Sequence, residues 1–194
     1  MGRPGIHRRL KHSGVLICLL TIFLVSAIPS LQAQKKYITR TGEIHFEASV
    51  PSFEEVDART KSASAVLEAS TGEFAALVLI KSFRFKVALM EEHFNENYVM
   101  SDDYPKASFR GRIEEFNAAS LGDRPEKYHI SGELTVRGTT KEMNIPATLR
   151  KTGDKIILNS TFTTTPGDFG IKIPGIVRNK IAREVVVDVH FELH

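Results

Sequence analysis

The sequence predicts an all-β fold: an eight-stranded antiparallel barrel with a short helix inserted between two central strands. Three observations carry the prediction. From Glu43 to Leu193 apolar and polar residues alternate in run after run, the period-two signature of strands with one buried face. Most runs are joined by short turns such as Ser70-Thr71-Gly72, Gly138-Thr139-Thr140 and Thr152-Gly153-Asp154. No long helical pattern separates them, which leaves antiparallel neighbours in one sheet.

The first strand places Ile44, Phe46, Ala48 and Val50 against Glu43, His45, Glu47 and Ser49, and Pro51 ends it. Ser52 to Val56 reads as one helical turn with Ser52 as its N-cap and Glu55 at the capping-box position. A second strand of small and branched residues follows around Ala58–Ala69, and a long third strand from Glu73 runs through FAALVLIKSFRFKVAL. In its last part Phe83, Phe85, Val87 and Leu89 share one face.

The helical insertion comes next. Met90, His93, Phe94, Asn97 and Tyr98 fall on one side of a short helix, with Glu92, Asn95 and Glu96 on the other. The chain turns at Ser101-Asp102-Asp103 and Tyr104-Pro105, and Phe109, Gly111 and Ile113 restart a strand. Asn117–Glu126 is a polar loop. Beyond it the inward faces read Tyr128, Ile130, Gly132, Leu134 and Val136, then Met143, Ile145, Ala147 and Leu149, then Ile156, Leu158, Ser160 and Phe162. A loop with Pro166, Gly167, Gly170, Pro174 and Gly175 precedes the last strand, whose inner face is Val185, Val187, Val189, Phe191 and Leu193.

Eight such strands, of eight to fifteen residues, close either as a sandwich or as an up-and-down barrel, and long strands in a meander favour the barrel. Gly111, Gly132, Ala147 and Ser160 stand among large residues on the inner faces. They either leave room for a ligand or taper a filled core. Charged residues are nearly absent from those faces, so a cavity there would suit a hydrocarbon.

Before the barrel, Arg3, Arg8, Arg9 and Lys11 form a basic start, VLICLLTIFLVSAI from Val15 an apolar run, and Leu31-Gln32-Ala33 a cleavage site. Residues 1–33 are therefore expected to be a cleaved secretory signal, and 34–194 a single periplasmic or secreted domain. The apolar run is short for a membrane span, and an uncleaved anchor is the alternative. The whole chain carries +3, but those four basic residues have no acidic counterpart; the rest holds 22 Lys and Arg against 23 Asp and Glu. The basic balance thus belongs to the targeting segment, and nucleic acid is not an expected partner. The single cysteine, Cys18, leaves with it, so disulfides, thiolate chemistry and cysteine-bound metals are excluded from the domain.

Four segments, MEEHFNENYVMSDDYPKASFRG from Met90, GELTVRGTTKEMNIPATL from Gly132, DFGIKIP from Asp168 and the closing VVVDVHFEL, resemble the YceI-like family of exported lipid-binding proteins. The resemblance spans roughly Tyr37 to Leu193. It implies a lipocalin-like barrel whose elongated apolar pocket takes a polyisoprenoid or similar long-chain lipid, with no cofactor. The chain departs from the family in two places. Its first strand reads Thr41-Gly42-Glu43-Ile44-His45-Phe46 where a His-Ser pair is frequent, and Pro166 stands where an Arg often precedes Asp-Phe-Gly. With the inner faces read above, the residues expected to contact the lipid are Phe83, Phe85, Val87, Met90, His93, Phe94, Tyr98, Phe109, Ile113, Leu134, Ile145, Phe162, Phe169 and Ile171. A homodimer is compatible with this reading.

Catalysis has one suspect, Glu91-Glu92-His93-Phe94-Asn95-Glu96, where a His and a Glu three apart on a helix can reach one metal or share a proton. It lacks the second His of His-Glu-x-x-His, and no Gly-x-Ser-x-Gly elbow is present. His93 is instead expected to pack beneath the helix and hydrogen-bond a loop. His45, His129 and His190 belong to outer faces, and the sequon Asn159-Ser160-Thr161 sits in mid-strand. Neither enzyme nor metal protein is expected. A packed structural barrel and a metal-assisted enzyme using His93 are the alternatives to a lipid binder.

Overall fold

The computed structural model describes Gly2, residues 35–51, Phe53 and residues 55–194; the expected signal segment and the Ser52 cap lie outside the described residues. Alternating apolar residues build strands β1 (Lys36–Glu47), β2 (Asp57–Glu68), β3 (Glu73–Leu79), β4 (Arg84–Phe85), β5 (Lys106–Ile113), β6 (Glu126–Val136), β7 (Thr139–Thr152), β8 (Lys155–Thr164) and β9 (Val185–Leu193). Helix α1 (Ala88–His93) lies between β4 and β5. All pairings are antiparallel. Around the ring the order is β1-β9-β8-β7-β6-β5-β3-β2, and β2 pairs back to β1, so eight strands close into a barrel. The two-residue β4 continues the edge of β2 beyond β3 through Ala58↔Phe85 and Arg59↔Arg84.

Closure follows from the apolar faces. Inward residues stand opposite one another across the ladders, as in Phe46↔Val187, Ile113↔Ile130, Ile130↔Ile145 and Leu158↔Phe191. A one-residue slip would turn every one of them to solvent, so burial fixes the register. The buried set is densest at the end holding the starts of β1, β6 and β8 and the ends of β2, β7 and β9. There Tyr37, Leu67, Leu149, Ile156 and Leu193 are each at most 2% exposed. Leu121, from the β5–β6 connection, is buried in the same cluster, and Lys151 N–H donates to Gly122 O at 2.7 Å to hold that loop down. The polar reading of Asn117–Glu126 therefore misses a core residue, because one apolar side chain in a loop shows no period.

One further expectation changes. The long strand after Glu73 is broken. A 3₁₀ turn at Ile80–Ser82 follows β3, and α1 begins at Ala88, so Leu89 is 56% exposed instead of facing inward. Of the two readings left open at Gly111 and Gly132, room for a ligand or a filled taper, the filled one holds. These two glycines pair across β5 and β6, and a Cβ on Gly132 would lie 2.4 Å from Arg110 O and 2.8 Å from the Phe109 ring. Gly42 does the same for Phe191, whose ring would be 2.2 Å from a Cβ there. These glycines let aromatic rings lie flat on the wall; they do not create the cavity.

Candidate functional site

At the opposite end the barrel is hollow. A cavity of about 520 Å³ runs from Phe74, Ile130, Leu158 and Phe191 up to the connections at the mouth. Its walls come mostly from alternate residues of seven of the ring's eight strands and from Phe85 of β4, and include Ile44 and Phe46 of β1, Val78 of β3, Leu134 of β6, Ile145 of β7, Phe162 of β8 and Val187 and Val189 of β9.

One side of the mouth is aromatic. Phe46 lies 5.1 Å from Phe83, 5.7 Å from Phe85 and 5.3 Å from Phe94 between ring centroids, and Phe85 and Phe94 are 5.1 Å apart. The tilted and edge-on geometries suit interlocked rings. Phe94 reaches this cluster because α1 runs into a wider π-turn, Phe94–Tyr98, with Val99 N–H donating to Phe94 O at 3.0 Å. The wider winding keeps Phe94 and Tyr98 on the cavity and leaves Asn97 exposed, where an even α-helix would have turned Asn97 inward. Glu91 braces the helix from outside, accepting from Arg84 Nη1 at 3.0 Å and from the Phe85 N–H at 3.2 Å.

The other side is the loop between β8 and β9. It starts in a 3₁₀ turn, Pro166–Phe169, closed by a capping box: Thr165 Oγ1 accepts from Asp168 N–H while Asp168 Oδ2 accepts from Thr165 N–H at 3.1 Å. Lys141 Nζ lies 2.6 Å from the same carboxylate. The Lys141 hydrogen bond, then that of Thr165, holds the Asp168 carboxyl below its ordinary value against a smaller opposing effect of desolvation. Arg137 Nη1 donates to Gly170 O at 2.9 Å. At the far end Ala182 N–H donates to Ala48 O at 2.8 Å, joining the loop to the β1–β2 connection. Between these anchors the loop's backbone bonds are internal turns, such as Val177 N–H to Pro174 O at 3.1 Å and Lys180 N–H to Val177 O at 2.9 Å. Among the described residues, what holds residues 171–181 over the mouth is the apolar contact of Ile171, Ile173, Val177 and Ile181.

Every residue named from the sequence as facing a pocket lines this cavity except Val87 and Ile113. Ile113 is 1% exposed and belongs to the packed end; Val87 is half-buried just before α1 and points away. Sequence reasoning missed Ile173, Val177 and Ile181, and with them Phe53 and Val56 of the β1–β2 connection. The signal was present in the four-residue spacing of Ile173, Val177 and Ile181, but Pro174 and Gly175 mark the segment as a mere connector.

Polar groups are few. Ser160 Oγ donates to Pro146 O at 2.7 Å and is satisfied; Thr164 Oγ1, near the mouth, is buried without a hydrogen-bond partner. His93 is half-buried and lines the cavity, in place of the expected contact with a loop. Among the described residues His93 belongs to no group of three metal-ligating side chains; the one such group is His45, Glu47 and Asp57, on the outer wall. There His45 ties three strands, with Nε2 2.8 Å from Asp57 Oδ2 and Nδ1 3.3 Å from Asp188 Oδ2. Burial, the largest single influence on Asp57, pushes its carboxyl up. The His45 hydrogen bond and charge, with Arg59 and Lys86, outweigh it and hold the group below its ordinary value.

A closed antiparallel barrel, packed at one end and apolar and hollow at the other, defines a lipocalin-like class of protein. The chain belongs to the YceI-like domain family, which matches residues 36–193. Among solved structures it is similar to a polyisoprenoid binding domain from Saccharophagus degradans implicated in plant cell wall breakdown. That likeness has a TM-score of 0.72 at 14% identity, over 84% of this chain and 99% of that one. It is also similar to Burkholderia cenocepacia BcnA, with a TM-score of 0.64 at 17% identity over 79% and 96% of the two chains. The Campylobacter jejuni YCEI protein gives 0.55 at 18% identity over 74% and 88%. At these identities the likeness is one of fold. Among curated protein sequences none matches the chain.

Proposed function

We propose that the protein binds one long-chain apolar lipid, a polyisoprenoid or a similar chain, inside the barrel, as an exported carrier or sink without turnover. The observation that carries this reading is the cavity itself: about 520 Å³, walled by Phe, Ile, Leu and Val, within the usual size range of small-molecule sites, ~300–1,000 Å³. The polyisoprenoid binding described for the Saccharophagus degradans domain supports the ligand class. Export is supported by the basic start and apolar run of residues 1–33.

An aliphatic wall suffices for useful affinity. At about 0.3 kcal/mol per heavy atom, each five-carbon unit contributes roughly 1.5 kcal/mol, and about five or six units reach micromolar binding. Such a site reads length and bulk and discriminates weakly among chains. The free hydroxyl of Thr164 is the group that would meet a polar head near the mouth. Catalysis has less support, since no nucleophile–base pair and no metal-ligand group faces the cavity among the described residues.

The test is organic extraction of the purified protein with mass spectrometry of the extract, followed by rebinding of tritiated hexaprenol, a chain of six such units, to the delipidated barrel. Expected are a co-purified isoprenoid or long-chain lipid and saturable rebinding. A clean extract together with no rebinding overturns the proposal.

A further inference from the structure

The loop over the mouth has a second face. While Ile173, Val177 and Ile181 turn into the cavity, Lys172, Arg178 and Arg183 stand exposed on the same short segment, and Lys180, also exposed, stands at the cavity's edge. None of the four forms an ion pair among the described residues, so their charge is not offset by a neighbouring carboxylate. Within residues 170–184 the only acidic residue is Glu184, although residues 34–194 as a whole carry slightly more acidic than basic groups. The loop is thus a cationic spot on a faintly anionic domain.

At the tip of that loop Ile176 is 85% exposed, the most exposed large apolar side chain among the described residues. Phe53, 44% exposed, stands on the β1–β2 connection to which the loop is bonded through Ala182 and Ala48. An exposed Ile between lysines and arginines, with a second apolar residue on the adjoining rim, is poorly suited to bulk water. It matches a surface that offers phosphates outside and hydrocarbon just beneath.

We infer that residues 171–183 dock the barrel, mouth first, on an anionic phospholipid bilayer. Lys172, Arg178, Lys180 and Arg183 meet the headgroup phosphates, and Ile176 and Phe53 enter the acyl boundary. This rests on the reading that the barrel takes a membrane lipid, and it adds where the chain enters. The same loop that covers the cavity by apolar contact is the one the membrane engages, so docking can draw Ile173, Val177 and Ile181 off the mouth.

The experiment is co-sedimentation of the 34–194 unit, which forms a compact body of its own, with vesicles of phosphatidylglycerol and phosphatidylcholine or of phosphatidylcholine alone. Binding is expected to the anionic vesicles and to fall steeply as salt rises. Replacing Lys172, Arg178, Lys180 and Arg183 by Gln is expected to weaken it by about 100-fold, and Ile176→Ser by about fivefold. Equal binding to both vesicle types, or an unchanged affinity in the fourfold Gln variant, overturns the inference. Hexaprenol rebinding by the same variant keeps the two readings apart. Docking lost with rebinding intact in the variant supports both; docking by the unsubstituted protein with its rebinding absent overturns the cavity reading and leaves the surface standing.

Discussion

At the packed end of the barrel Tyr37, Leu67, Leu149, Ile156 and Leu193 meet across the ring, each at most 2% exposed. At the mouth Ile171, Ile173, Val177 and Ile181 are all half-buried over open space. Both sets are large apolar side chains, and the difference lies in what holds them. The packed-end residues sit on hydrogen-bonded strands whose register allows one arrangement, whereas the mouth residues sit on a loop bonded to the barrel at its two ends only. Apolar side chains on a ladder make a core; the same side chains on a tethered loop make a cover.

Substitutions can break this contrast or sharpen it. Leu149→Ala at the packed end should cost about 3–4 kcal/mol in urea unfolding, since a fully buried side chain leaves a cavity that strands cannot collapse. A loss near 1 kcal/mol would mean that end is loosely packed. Gly132→Ala should cost roughly 2–3 kcal/mol, because its Cβ meets backbone that has no freedom to shift. At the mouth, Phe94→Ala should cost only about 1 kcal/mol of stability while weakening hexaprenol rebinding severalfold, since the ring borders space on one side. If Phe94→Ala destabilised as much as Leu149→Ala, the mouth would be part of the core.

Acid gives a subtler probe. The folded Asp168 carboxyl is held below its ordinary value, so the stability it lends the loop's first turn is fully present above that ordinary value. It is lost as pH falls through the lower folded value. Protection factors of the Phe169–Ile171 amides, which remove the slower intrinsic exchange in acid, should therefore fall at pH 3 relative to pH 6, more than those in β7 at the packed end. Asp168→Asn should remove the pH dependence of that difference. Asp57, held down by His45 across β1 and β2, should give a parallel acid response on the wall. Smallest of all, Leu89→Ser on the exposed face of α1 should change stability by no more than about 0.5 kcal/mol.

The ring was legible in the sequence because a strand with one buried face repeats every second residue, and the faces read from β5 to β9 are the ones the barrel turns inward. Most of the cavity wall came with it. The rest depended on features that carry no period. Leu121 plugs the packed end from a loop, and Ile173, Val177 and Ile181 lie beside a Pro-Gly pair that reads as a connector. Gly111 and Gly132 could be read as space or as a filled taper, because a sequence does not show that Phe109 lies across them. His45, Asp57 and Asp188 come together only because the ring brings β1, β2 and β9 side by side.

The double tether of the β8–β9 loop has a kinetic consequence. Pinned through Asp168 and Gly170 at one end and Ala182 at the other, the segment can swing without breaking a strand pairing. Its motion belongs to the nanosecond-to-millisecond range of loops, whereas opening the ring belongs to the much slower clock of global unfolding. If the barrel holds the proposed lipid, that guest would come and go on the loop's clock, and a barrel made more resistant to unfolding would release it no more slowly.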